Sequence, residues 1–197
     1  MINLNGSEFN SPVVAIFNNG VAGRVDNVSI SVEKKKPEDN DLAPAYKVIF
    51  TDATGSINMG IYYPTDQSTD TQKQMLAKKC SDLVKSVMGD DFVFPEFSNY
   101  NELVDQCMRI IAQNCSNAKV NVMATYGTAG APKKYLGVYK NYNFVEKTGT
   151  TPTKLRVAKN PNKPQYDDLF ERIVEDVPTN DLENTTSNDS KSTNDWL

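Results

Sequence analysis

Apolar and polar residues alternate over much of the chain, and a period of two predicts half-buried strands. Val28, Ile30 and Val32 alternate ahead of a Lys34-Lys35-Lys36 run. Tyr46, Val48 and Phe50 alternate next. Asp52-Ala53-Thr54-Gly55 then supplies turn chemistry, and Ile57, Met59, Ile61 and Tyr63 alternate on the return, which reads as a β-hairpin. The polar stretch 37–44 is expected to loop from the first strand to the second. The period then changes to that of helices. Asp70 or Thr71 can cap a segment whose face is Leu76, Cys80, Leu83, Val84 and Val87, stopped by Gly89. Pro95 closes the short apolar segment 92–94. Asn99 with Glu102 caps a second helix, with face Leu103, Val104, Cys107, Met108 and Ile111.

Strand periodicity resumes at Val120, Val122 and Ala124, followed by a loop at 127–132 and a return through Leu136 and Val138. Phe144 and Val145 extend this return, Leu155 and Val157 suggest one more short strand, and 166–174 a closing helix. Strands, a helical insert at about 70–114, then strands again predict a mainly β protein with helical additions, an α+β chain built on an OB-like Greek-key β-barrel. The expected domain is 1–174. The remainder, 175–197, is rich in Asn, Thr, Ser and Asp and has too little apolar surface to offset chain entropy, so it reads as a disordered acidic tail. The single tryptophan, Trp196, lies in that tail.

Composition narrows the chemistry. The 197 residues contain no histidine, which removes the usual general base and the commonest zinc ligand. Cys80, Cys107 and Cys115 form no Cys-x-x-Cys pair and read as reduced core residues on helix faces. Adjacent acids such as Asp90-Asp91 and Asp167-Asp168 point different ways on regular elements and give no metal site. The segment 127–134 lacks the Gly-x-x-x-x-Gly-Lys-Ser/Thr pattern of a phosphate loop. No cofactor and no catalytic residue are expected, and an enzyme is disfavoured. No apolar run is long enough to span a bilayer and the first ten residues do not read as a signal peptide, so a cytoplasmic, membrane-free protein is expected.

Charge is uneven. Segment 175–197 carries net −5, whereas 118–164 carries nine basic residues and one acid, Glu146. Such asymmetry suggests a polyanionic partner. In the later hairpin Tyr126, Tyr135, Tyr139, Tyr142 and Phe144 interleave with Lys133, Lys134, Lys140 and Lys147. A cationic groove with aromatic faces is what unpaired nucleic acid needs, the backbone meeting the charges and bases stacking on the rings. Strand geometry sends Leu136 and Val138 inward and Tyr135 and Tyr139 outward. On the earlier hairpin it leaves Lys47 and Tyr62 outward. The candidate nucleic-acid set is therefore Lys34, Lys35, Lys47, Tyr62, Lys133, Lys134, Tyr135, Tyr139, Lys140, Lys154 and Arg156.

Strand alternation around a helical insert, the basic aromatic hairpin Lys133-Lys134-Tyr135 to Phe144, and an acidic tail ending Asn194-Asp195-Trp196-Leu197 together resemble bacteriophage-type single-stranded DNA-binding proteins. The resemblance implies an OB-fold that coats single-stranded DNA during replication and recombination, in the host cytoplasm if phage-encoded, and it leaves RNA undistinguished. It also implies a tail that recruits replication or recombination proteins and competes for the groove, with Asp181, Glu183, Asp189, Asp195, Trp196 and Leu197 as its residues. The rival expectation is a virion structural or assembly protein whose tyrosine-rich strands and acidic tail form protein interfaces. Oligomeric state is open on either reading.

Overall fold

The computed structural model describes residues 16–128, 131–141, 143–156 and 170, without the side chains of 128 and 131–134. A 3-10 turn, Phe17–Gly20, leads into β1 (Gly23–Lys34), β2 (Tyr46–Thr51) and β3 (Ser56–Ile61). Two helices follow, α1 (Asp70–Met88) and α2 (Tyr100–Asn114), and then β4 (Lys119–Thr128), β5 (Ala131–Val138) and β6 (Val145–Lys147). The fold is α+β. All pairings are antiparallel, in the order β3-β2-β1-β4-β5, with β6 pairing the first part of β4. The sheet is open: no ladder joins β3 to β5, although these two edges approach each other.

The hairpin β2–β3 is the one the alternation describes, with Tyr46 opposite Ile61 and Phe50 opposite Ile57 on the buried face. Its turn is tied by Asp52, whose carboxylate accepts from the Thr54 and Gly55 N–H groups at 2.6 and 2.8 Å. The same carboxylate accepts the Asn18 N–H at 2.6 Å, which pins the 3-10 turn beside the hairpin. β1 begins earlier than alternation alone shows, because Val25 and Val28 are both buried though three residues apart. A bulge between them supplies the change of phase. Asn27, at φ 59°, takes the left-handed conformation there, and its N–H donates to the Asn121 side chain.

The cap of α1 lies one residue before the expected one. Thr69 Oγ1 accepts the Gln72 N–H at 3.2 Å while the Gln72 side chain accepts the Thr69 N–H at 2.9 Å, a reciprocal capping box. Gly89 ends the helix, as expected. Asn99 caps α2 by accepting the Glu102 N–H at 2.9 Å. Cys80, Leu83 and Val84 of α1 and Val104, Cys107, Met108 and Ile111 of α2 join the buried sheet residues in one core. Each such large apolar side chain contributes about 1.5–3 kcal/mol on full burial. Cys115, the C-cap of α2, is only half-buried but packs against this core.

The later strands depart more from expectation. Most of the anticipated loop 127–132 is strand, since β4 runs to Thr128 and β5 starts at Ala131. Phe144 and Val145 do not extend β5; Val145 opens β6, which pairs back onto β4. Leu155 is buried without forming a strand. The expected partner Val157 and the helix at 166–174 lie outside the described residues apart from Phe170, as does the acidic tail.

Candidate functional site

A cleft sits where β1 ends, β2 begins and β3 leaves the sheet. It has a volume of about 630 Å³ and is walled by Lys34, Lys35 and Lys36 on one side and Tyr62 and Tyr63 on the other. The loop that carries the lysines is folded, not merely polar. Asp39 accepts the Lys36 N–H at 2.8 Å, Asp39 returns its own N–H to the Lys36 carbonyl, and Asn40 caps the Leu42 N–H. Asp39 and Asp41 also line the cleft, so its three ammonium groups face two carboxylates. Asp41 stands 4.0 Å from Lys35, and Asp39 is engaged with backbone. Among the described residues Lys34, Lys36 and Lys47 form no ion pair. An adjoining hollow of about 470 Å³ brings in Lys47 together with Glu33 and Glu38.

Tyr62 is 56% exposed, and its presentation has a cause. It stands two residues after Gly60 on the outer face, and Gly60 has no side chain there. A β-carbon at Gly60 would lie 3.0 Å from both the Tyr62 ring and Pro44, so ring and proline close over the bare backbone. Lys47 is directly opposite Gly60 in the ladder, on the same outer face of the hairpin. Tyr63 points the other way. Its hydroxyl donates to Asp105 Oδ1 of α2 at 2.5 Å, and Tyr46 donates to the same oxygen at 2.6 Å, the two rings meeting edge-on at 6.5 Å. Lys34 Nζ lies 5.7 Å above the Tyr46 ring, a cation–π contact. Burial alone would raise the Asp105 carboxyl, but the two tyrosine hydroxyls, with Lys34 and Arg109 nearby, outweigh it and hold it below the usual carboxylate range. Burial, then the Asp105 contact, pushes the Tyr46 hydroxyl well above an ordinary phenol.

The structure thus gathers Lys34, Lys35, Lys47 and Tyr62, and it adds Lys36 and Tyr63. Other members of the expected set lie elsewhere. Tyr139 is the clear correction: it is 2% exposed, because β5 ends at Val138 and the chain turns inward with both residues buried, its N–H donating to the Met123 carbonyl. Tyr126 and Phe144 are core residues too, Tyr126 donating its hydroxyl to the Gly20 carbonyl at 2.6 Å. Tyr135 is 73% exposed, in a stretch where four residues, 133–136, bulge opposite Tyr126. The Lys133 and Lys134 side chains and Tyr142 lie outside the described residues.

Lys140 stands beside Lys79 of α1, whose ammonium burial and the Lys140 charge pull below the ordinary lysine value. Lys154 pairs with Asp90 in a hollow of about 160 Å³ between α1 and β6, shared with Lys78, Lys85 and Lys147. Arg156 is exposed, its N–H on the Asn143 carbonyl. These last residues belong to the side of the sheet beyond β4, whose ladder with β1 involves 23–29, whereas the cleft is at the other end of β1. The tail residues Asp181, Glu183, Asp189, Asp195, Trp196 and Leu197 lie outside the described residues.

Sequence reasoning missed Asp105 and Gly60. An acid beside the apolar face of α2 looks like an ordinary helix-surface residue until the two tyrosine hydroxyls are known, and a lone glycine in a strand signals only a close approach. Among the described residues no cluster of side chains suits a metal ion, and no helix is long and apolar enough to cross a membrane. Comparison with known proteins gives no match to any family, curated protein or solved structure.

Proposed function

We propose that this protein binds single-stranded nucleic acid, DNA foremost, without catalysis and with little sequence preference. The observation that carries the reading is the cleft in which Lys34, Lys35 and Lys36 face the exposed Tyr62 ring. Ammonium groups on one wall and an open aromatic face on the other suit a phosphodiester backbone with a base turned onto the ring. The reading rests on the first loop and the β2–β3 face, not on the later hairpin, most of whose described rings are in the core.

The topology supports the same reading. β1 pairs with both β2 and β4, the helices are inserted between β3 and β4, and β3 and β5 approach without a ladder, an arrangement we read as an OB-like barrel left partly open. In that architecture the face of the second and third strands and the loop between the first two receive oligonucleotides, which here are β2, β3 and the lysine loop. The acidic tail then serves as a partner-recruiting or self-competing segment in replication or recombination of the phage type.

The test is fluorescence-anisotropy titration of labelled oligo-dT and of a duplex of equal length at two ionic strengths. Single strands are expected to bind better, with affinity falling as salt rises, and K34A/K35A/K36A is expected to weaken binding and flatten the salt slope by about 1–2. Equal affinity for strand and duplex, no binding, or a triple variant that binds like the parent overturns the proposal. Ordered oligomers formed without nucleic acid would support the assembly-protein alternative.

A further inference from the structure

We infer that Asp105 of α2 is a positioning residue for the cleft, holding the Tyr63 and Tyr46 hydroxyls so that Tyr62 and Lys34 stand in register to meet one nucleotide unit. The inference rests on the nucleic-acid reading of the cleft and deepens it. β3 ends at Ile61, so the backbone at 62–63 has no ladder to fix it. Tyr63, the residue after the exposed ring, is instead tied to α2 at 2.5 Å through its hydroxyl, and Gly60 and Pro44 restrain the ring itself. Tyr46, a buried residue that does not itself line the cleft, is tied to the same Asp105 oxygen at 2.6 Å, and its ring carries the lining residue Lys34, whose Nζ lies 5.7 Å above it. A single oxygen therefore reaches both sides of the cleft, one through Tyr63 just past β3 and one through Tyr46 at the start of β2.

Neither tyrosine hydroxyl needs to touch the ligand for this to matter. A ring that must be ordered before a base can stack on it loses affinity by the ordering cost, and a scaffold that orders it beforehand removes that cost. The chemistry asked of Asp105 is that of a hydrogen-bond acceptor, so an amide oxygen in the same place would serve.

The experiment measures oligo-dT affinity by anisotropy for the full chain carrying Asp105→Ala, Asp105→Asn, Tyr63→Phe and, as a reference, K34A/K35A/K36A, with thermal unfolding followed for each. D105A is expected to bind about five- to ten-fold more weakly while folded, Y63F about two- to three-fold, and D105N within about two-fold of the parent, as one or two hydrogen bonds are lost or kept. Native binding by folded D105A and Y63F, with the lysine triple variant impaired, overturns the inference and leaves the function standing. Failure of D105N to restore what D105A loses also overturns it. If D105A does not fold, Y63F, which keeps the ring and removes one bond, decides alone. A lysine triple variant that binds like the parent overturns the functional reading itself.

Discussion

Tyr62 and Tyr63 are neighbours in sequence and opposites in role. The strand period turns Tyr62 outward over Gly60 and Tyr63 inward onto α2, so one ring is open to a ligand and the other is anchored by its hydroxyl. Replacing Tyr62 by Ala is expected to cost about 1–3 kcal/mol of single-strand affinity, with unfolding unchanged, which titration against oligo-dT checks. Asp52 makes a different kind of residue-scale prediction. Burial works to raise its carboxyl, yet the bonds from Thr54, Asn18 and Gly55 prevail and lower it. A carboxyl depressed in the folded state contributes stability that is fully present above the unfolded value of about 3.9 and is lost as pH falls through the lower folded value. Urea midpoints should therefore drop below about pH 4, and Asp52→Asn should flatten that acid limb; an identical limb in the variant would show that the Asn18 tie carries no linkage. Both tyrosine orientations were readable from alternation alone. Tyr139 was not: Val138 and Tyr139 are consecutive and both buried, so alternation breaks where the chain leaves β5, whereas it carries on past the end of β3 through Tyr62 and Tyr63.

At the scale of elements, ends were less legible than centres. The faces of α1 and α2, the β2–β3 hairpin and the Gly89 stop follow from spacing and turn chemistry. The start of α1 does not, since Thr69, Asp70 and Thr71 are all acceptable caps and both threonines have a glutamine three residues on, Gln72 and Gln74, so spacing does not choose between them. Thr69→Ala is expected to lower stability by about 1 kcal/mol, whereas Thr71→Ala should do almost nothing, a contrast that denaturant midpoints resolve. The bulges were also hidden. At Asn27 the signal was faint, two valines three apart, and at 133–136 four chain residues face one. A bulge depends on what the partner strand requires, and that is a property of two segments rather than one.

For the molecule as a whole, the order of elements foretold the mixed architecture and the helices between two sets of strands. The site was only half legible. Lys34, Lys35, Lys47 and Tyr62 are local products of one hairpin and its preceding loop, and they come together. Lys140, Lys154 and Arg156 shared a charged stretch with the later hairpin, but charge along a chain does not say which side of a sheet it will occupy. Segment 175–197, at net −5, offers a test at this scale: its removal is expected to tighten oligonucleotide binding at low salt and to matter little at high salt, as tethered weak contacts are screened. Glu146 bears on where the chain can be cut. It is 4% exposed, and its carboxylate is shared among Arg24 of β1, Asn121 of β4, Thr153 and the Lys154 N–H. A shortened version ending at 150 would strip two of those donors from a charge sealed in the interior, so the shortest chain that keeps the body intact reaches past Lys154.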